Sequence, residues 1–108
     1  MRKIHNKLIR DRIPEIIQAA GKQCVVEVLS EEEYQQALRQ KLIEEAHEVE
    51  IATGDDLIQE LADLYEVIDE LMAAHQIERE AVVKTQEERR VERGGFKKQL
   101  RLLWVEAE

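Results

Sequence analysis

The chain has 108 residues, enough for one domain by the usual size of domains. Its 24 acidic residues against 16 basic ones leave a net charge of −8, which disfavours DNA, RNA and anionic lipid as partners. Cys24 is the only cysteine, which excludes an internal disulfide framework or a cysteine-rich zinc site. No apolar run approaches the ~18 residues of a membrane span. The stretch from Met1 to Arg12 is charged throughout and lacks the apolar centre of a signal peptide. A reduced, cytoplasmic protein is the expectation.

In chain order, Arg12–Ala20 reads as a short helix that Gly21 stops. Residues 23–29 contain the β-branched run Val25-Val26-Glu27-Val28, expected as a strand or extended link. Ser30 with Glu33 forms a capping box, which starts a long helix running to about Thr53. Gly54 is the hinge. Asp55 or Asp56 should cap a second long helix reaching His75. Ile77–Glu92 is a third, polar helix, and Gly94-Gly95 ends it. Residues 99–105 are expected as a strand or a docked extension. The fold class is therefore mainly α: an antiparallel helical hairpin or bundle in a single domain, 1–108. A core from so few residues is modest, so oligomerisation should complete it.

The carboxylates are the informative part. At about 100° per residue, Leu38, Leu42, Ala46, Val49 and Thr53 fall within about 40° of one line on the first long helix. Glu45 lies among them at roughly −60° from Leu42, and Glu48 at their edge near −120°. Glu44 and His47 point away. On the second helix, Leu57, Leu61, Leu64, Ile68 and Leu71 form the apolar face. Glu60 intrudes on it and Asp63 flanks it. Gly54 stands midway between Glu48 and Glu60, and midway between Glu45 and Asp63. Folding antiparallel about Gly54 brings all four acids to one place. Such acids repel each other and resist desolvation. A hard divalent cation removes the conflict, and oxygen-only ligation points to Mg2+, with Mn2+ as a substitute.

Glu44-Glu45-Ala46-His47-Glu48 followed by Glu60-Leu61-Ala62-Asp63 resembles the EExxE…ExxD pattern of the MazG-like nucleoside triphosphate pyrophosphohydrolases, an all-α superfamily. Asn6-Lys7-Leu8-Ile9-Arg10-Asp11-Arg12-Ile13-Pro14-Glu15 is similar to the KLVRDKIPE opening of one branch. Lys84 to Arg93-Gly94-Gly95-Phe96 is similar to the K…RGGF ending of the same branch. The resemblance covers most of residues 6–96. It implies a helical fold assembled as a dimer or larger, with Mg2+ between the helices. It implies cleavage of a nucleoside triphosphate between the α and β phosphates, to a monophosphate and pyrophosphate. Many members clear unwanted nucleotides from the pool.

Carried over by position, Glu45, Glu48, Glu60 and Asp63 are the expected metal ligands and catalytic acids. Glu48, at the face edge, is the candidate for taking the proton from water. Glu44 matches the motif but is assigned a supporting or surface role. Lys7, Arg10, Lys84 and Arg93 are candidates for holding phosphates, to which Arg is suited by its paired donors. Tyr34, Tyr65, Phe96 and Trp104 are the rings available besides histidine, each better explained as core or interface than as a base platform. His5, His47, His75 and Cys24 are assigned no chemistry. Two other readings remain. One is phosphoribosyl-ATP pyrophosphohydrolase, which shares the acidic motif but fits the opening and ending less well. The other is a helical dimer that binds nucleotide or protein without turnover.

Overall fold

Ser30 sets the start of the main structural element. In the computed structural model, which describes residues 1–107, the Glu33 amide donates to Ser30 Oγ at 3.2 Å. The Ser30 amide donates back to Glu33 Oε1 at 3.1 Å, so the expected capping box is present. That amide also holds the Glu33 carboxyl below its usual range. Glu31, Glu32 and Glu33 in the first turn complement the helix dipole.

Four helices occur among the described residues: α1 (Ile13–Ala19), α2 (Glu31–Ile51), α3 (Asp56–Ala74) and α4 (Arg79–Arg93). Their ends lie within about two residues of the sequence expectation, the usual fraying of helix termini. Pro14 stands in the first turn of α1, where its missing N–H leaves no bond unmade. Gly21, at φ +79°, closes α1 in a Schellman turn, with Gly21 N–H to Gln18 O at 2.9 Å and Lys22 N–H to Ile17 O at 3.2 Å.

The chain divides into two compact units, Met1–Ile77 and Glu78–Glu108. In the first, α2 and α3 form an antiparallel hairpin. Gly54, at φ +57°, lies in the reversal between Ile51 and Asp56. The far end is tied by polar contacts. Tyr34 Oη donates to Glu70 Oε2 at 3.3 Å, and Gln35 Nε2 donates to the Ala74 carbonyl at 3.0 Å. The second bond satisfies one of the carbonyls left open at the α3 C-terminus. Arg39 and His75 meet at 3.4 Å. Partial burial and the neighbouring Glu70 push the Tyr34 hydroxyl pKa up.

The apolar seam is thin. Only Leu38 and Val67 count as buried hydrophobic residues among the described residues, at 3% and 8% exposure. Leu42 and Val49 on α2, and Leu64, Ile68 and Leu71 on α3, are half-buried around them. Val67, absent from the expected apolar face, is the centre of α3's contribution. Leu57 and Leu61, expected in that face, are exposed, together with Ile58 and Tyr65. A stripe of α3 thus lies uncovered at spacings of three and four residues.

The second unit contains α4 and the residues after it. Glu80 in its first turn and Arg90 and Arg93 in its last complement the helix dipole. Gly94, at φ +82°, follows it, with its amide bonded to the Arg90 carbonyl at 2.8 Å.

Neither 23–29 nor 99–105 forms a strand; both lack regular secondary structure. Strand propensity becomes a strand only through pairing, and no described segment supplies a partner ladder. Phe96, Leu102, Leu103 and Trp104 stand largely exposed. No described helix is long and apolar enough to cross a membrane. Glu108, the last residue of the expected domain, lies outside the described residues.

The α3 C-terminus provides a stability test. Ile77 N–H to Met72 O at 2.9 Å and Gln76 N–H to Ala73 O at 3.1 Å make a Schellman turn whose left-handed residue is Gln76, at φ +56°. A side chain there is strained, so Gln76→Gly should stabilise the fold by about 0.5–1 kcal/mol in urea denaturation. Unchanged or lower stability would show that the strain is absent.

Candidate metal centre

The acids stand on the two arms of the hairpin. Glu45 and Glu48 are one turn apart on α2, and Glu60 and Asp63 are one turn apart on α3. All four are half-buried. Glu45, Glu60 and Asp63 each offer one oxygen such that the three atoms lie within 4.8 Å of one another. Oxygens bound to one Mg2+ lie at most about 4.2 Å apart, twice the metal–oxygen distance. The donor set is carboxylate only, which suits Mg2+ or Mn2+.

Glu48 is outside that trio. The counting that placed it level with Glu60 treats the helices as symmetric about Gly54. They are not: α2 ends three residues before Gly54, and α3 begins two after it. Glu45 is the α2 acid that stands with both α3 acids. Glu48 still raises the pKa of Glu45 and of Glu60 through its charge.

The electrostatics show the expected conflict. Partial desolvation pushes the Glu45 pKa up, Lys41 opposes the shift, and Asp63, Glu44 and Glu48 add to it. Glu60 is pushed up by desolvation, then by Asp63, Glu45, Glu48 and Asp56.

Cations gather against the same acids. Arg10 Nη2 donates to Asp63 Oδ1 at 2.7 Å. Lys41 Nζ lies 3.4 Å from Glu44 Oε1 and 3.8 Å from Glu45 Oε1. Lys7 Nζ lies 3.6 Å from the same Glu44 oxygen. The wheel had sent Glu44 outward to solvent. It is half-buried and paired, because the segment before α1 brings Lys7 to that side. Between these groups lies a cleft of about 300 Å³, lined by Lys7, Arg10, Lys41, Glu45 and Asp63, with Ile9 and Ile13 as its apolar wall.

Of the expected phosphate ligands, Lys7 and Arg10 line this cleft. Lys84 and Arg93 belong to the second unit, on α4, and are exposed. Lys41 was not among the expected site residues. Its spacing was the available signal, because positions three and four before Glu44 and Glu45 are neighbours on a helix. Tyr65 is exposed on α3, and Phe96 and Trp104 are exposed in the second unit. Cys24 is a free, half-buried thiol.

Comparison with known proteins gives one similarity. The chain is 48% identical over 50 residues to a Mycolicibacterium smegmatis protein described as uncharacterized. The match covers 46% of this chain and 51% of that protein, so the chain spans about half the length of the curated relative it matches. No family model matches the chain. No solved structure matches it.

The raised acids predict a pH dependence with a definite sign. A carboxyl whose folded pKa exceeds its unfolded value carries no penalty below the ordinary range, and a penalty once ionised. The metal-free protein should therefore lose stability as pH rises from about 4.5 through the raised values of Glu45 and Glu60. Glu45→Gln should flatten that part of a Tm-against-pH curve. An unchanged slope in the variant would place the burden elsewhere.

Proposed function

We propose that the chain is a Mg2+-dependent pyrophosphohydrolase of the MazG-like type, acting on a nucleoside or deoxynucleoside triphosphate. The observation that carries this reading is one constellation: three carboxylate oxygens from two helices within 4.8 Å, opening on a cleft lined by Lys7, Arg10 and Lys41. A cation held by acids beside lysine and arginine side chains suits a metal–phosphate complex. The resemblance in the EExxE…ExxD, KLIRDRIPE and RGGF segments supplies the reaction class.

Glu45, Glu60 and Asp63 would hold the cation, with Glu48 one turn along α2 from Glu45. Mg2+ bound there supplies charge neutralisation on the phosphate oxygens and a more acidic water. Glu48, outside the trio, would be the residue to orient a water and accept its proton. Lys7, Arg10 and Lys41 line the cleft where the remaining phosphate charge would lie, and the Arg10 guanidinium can donate two parallel bonds. Water adds to the α-phosphorus, the bond from that phosphorus to the α–β bridging oxygen breaks, and pyrophosphate leaves with that oxygen. The resemblance assigns phosphate binding to Lys84 and Arg93 as well, on the second unit. Clearing of unwanted nucleotides in the cytoplasm is the matching physiological role.

The thin seam adds a second part to the reading. Two buried apolar residues are a small core for a helix pair, and most helix stability comes from packing. The stripe of Leu57, Ile58, Leu61 and Tyr65 is the surface on which a second copy would complete the core.

The activity test is incubation with Mg2+ and a panel of NTPs, dNTPs and phosphoribosyl-ATP, followed by assay of pyrophosphate and monophosphate. Pyrophosphate release from an NTP or dNTP is expected. Orthophosphate release would refute α–β cleavage. Turnover of phosphoribosyl-ATP alone would move the assignment to histidine biosynthesis, and no turnover would favour a binding module. Glu45→Gln, Glu48→Gln and Asp63→Asn should each lower kcat at least about 100-fold with the helical circular dichroism retained. Normal activity in Asp63→Asn would sink the metal centre. For the assembly, light scattering should give a dimer or tetramer, and Leu61→Arg should lower the mass toward the monomer. A monomeric parent protein would refute the shared core.

A further inference from the structure

Among the described residues, Arg10 makes a closer contact with the acidic trio than Lys41 does. Its Nη2 lies 2.7 Å from Asp63 Oδ1, against 3.8 Å for Lys41 to Glu45. Asp63 is also one of the three acids whose oxygens converge. We propose that Arg10 is a built-in counterion of the metal centre: it competes with the divalent cation for Asp63 and, once displaced, is delivered to the phosphate in the adjoining cleft. This inference rests on the metal-centre reading above and adds a role for one residue within it.

Three features favour exchange over a permanent strut. First, the pair is solvent-exposed, with 57% of the Arg10 side chain and 41% of the Asp63 side chain accessible. Exposed ion pairs are weak and screened, so this one is readily given up. Lys41 contrasts with it: its side chain is 18% exposed, and it is held on α2 one turn from Glu45. Second, Arg10 precedes α1 in a segment without helix, and its carbonyl accepts from the Ile13 amide at 3.1 Å. The backbone is anchored at the helix start while the long side chain can swing about it. Third, Arg10 already lines the cleft, so no large movement separates its two partners. Asp63 paired with a doubly charged ion no longer needs the guanidinium, and two adjacent cations repel. A phosphate in the cleft then offers Arg10 a bidentate acceptor with more charge than Asp63 has to give.

The exchange predicts opposite effects on two ligands. The intact chain, Arg10→Met and Arg10→Lys are titrated with Mg2+ alone by calorimetry, then with inorganic pyrophosphate at saturating Mg2+. Circular dichroism checks that each variant keeps its helices. Arg10→Met should bind Mg2+ about three- to fivefold more tightly, since an exposed competing pair is lost. It should bind pyrophosphate about tenfold more weakly, since a charged donor is lost. Arg10→Lys should fall between the parent and Arg10→Met on both counts. Weaker Mg2+ binding in Arg10→Met would make Arg10 a support that holds Asp63 in place, and would overturn the proposal. Equal Mg2+ binding in parent and variant would also overturn it, while leaving the metal centre intact. A parent chain that takes up no Mg2+ would overturn both, and is distinct from either result.

Discussion

Three carboxylates on one hairpin repel one another when ionised, and a cation beside them relieves that repulsion. That constraint organises the first unit. Glu45, Glu60 and Asp63 converge because α2 and α3 fold back on each other, and desolvation, with the neighbouring acids adding to it, raises the pKa of Glu45 and Glu60. Positive charge is recruited from two directions: Lys41 from the same helix and Arg10 from the segment before α1. The N-terminal segment is thereby tied to the hairpin by charge as well as by its apolar residues, Ile9 and Ile13, at the cleft.

Such an arrangement is a poor way to gain stability. Exposed ion pairs contribute on the order of 0–1 kcal/mol, and clustered acids oppose folding. Among the described residues only Leu38 and Val67 are deeply buried, so the hairpin has little apolar burial with which to offset that opposition. A fold that retains a conflict of this kind at its centre is better understood through a ligand than through its own packing. On the reading proposed above, a hard divalent cation would answer the donor set and phosphate would answer the neighbouring lysines and arginine.

Local signals account for how much of the fold was legible. Helix starts and stops are set by short-range hydrogen bonds, so Ser30 with Glu33, Pro14, Gly21 and Gly94 mark the boundaries within a residue or two. Gln76 is the exception. It occupies the left-handed position at the α3 end without being glycine, and nothing in its identity announces it. The β-branched run 25–28 misled in the opposite sense, since a strand requires a partner that no local preference can supply.

Residues that share a helix face are determined by the sequence alone, because 3.6 residues per turn is a property of the backbone. The pairing of Glu45 with Glu48, and of Glu60 with Asp63, on single faces was legible for that reason; of the four acids expected to meet across Gly54, Glu45, Glu60 and Asp63 come together. The tertiary structure decided what no wheel contains: the offset between the arms, and the approach of a third segment. The packing of the arms groups Glu45 with both α3 acids and leaves Glu48 outside the trio. The third segment turns Glu44 from a solvent-facing acid into a partner of Lys7, and sets Arg10 on Asp63. Periodicity fixes direction around one axis, whereas contact between residues 53 positions apart depends on how separate segments pack.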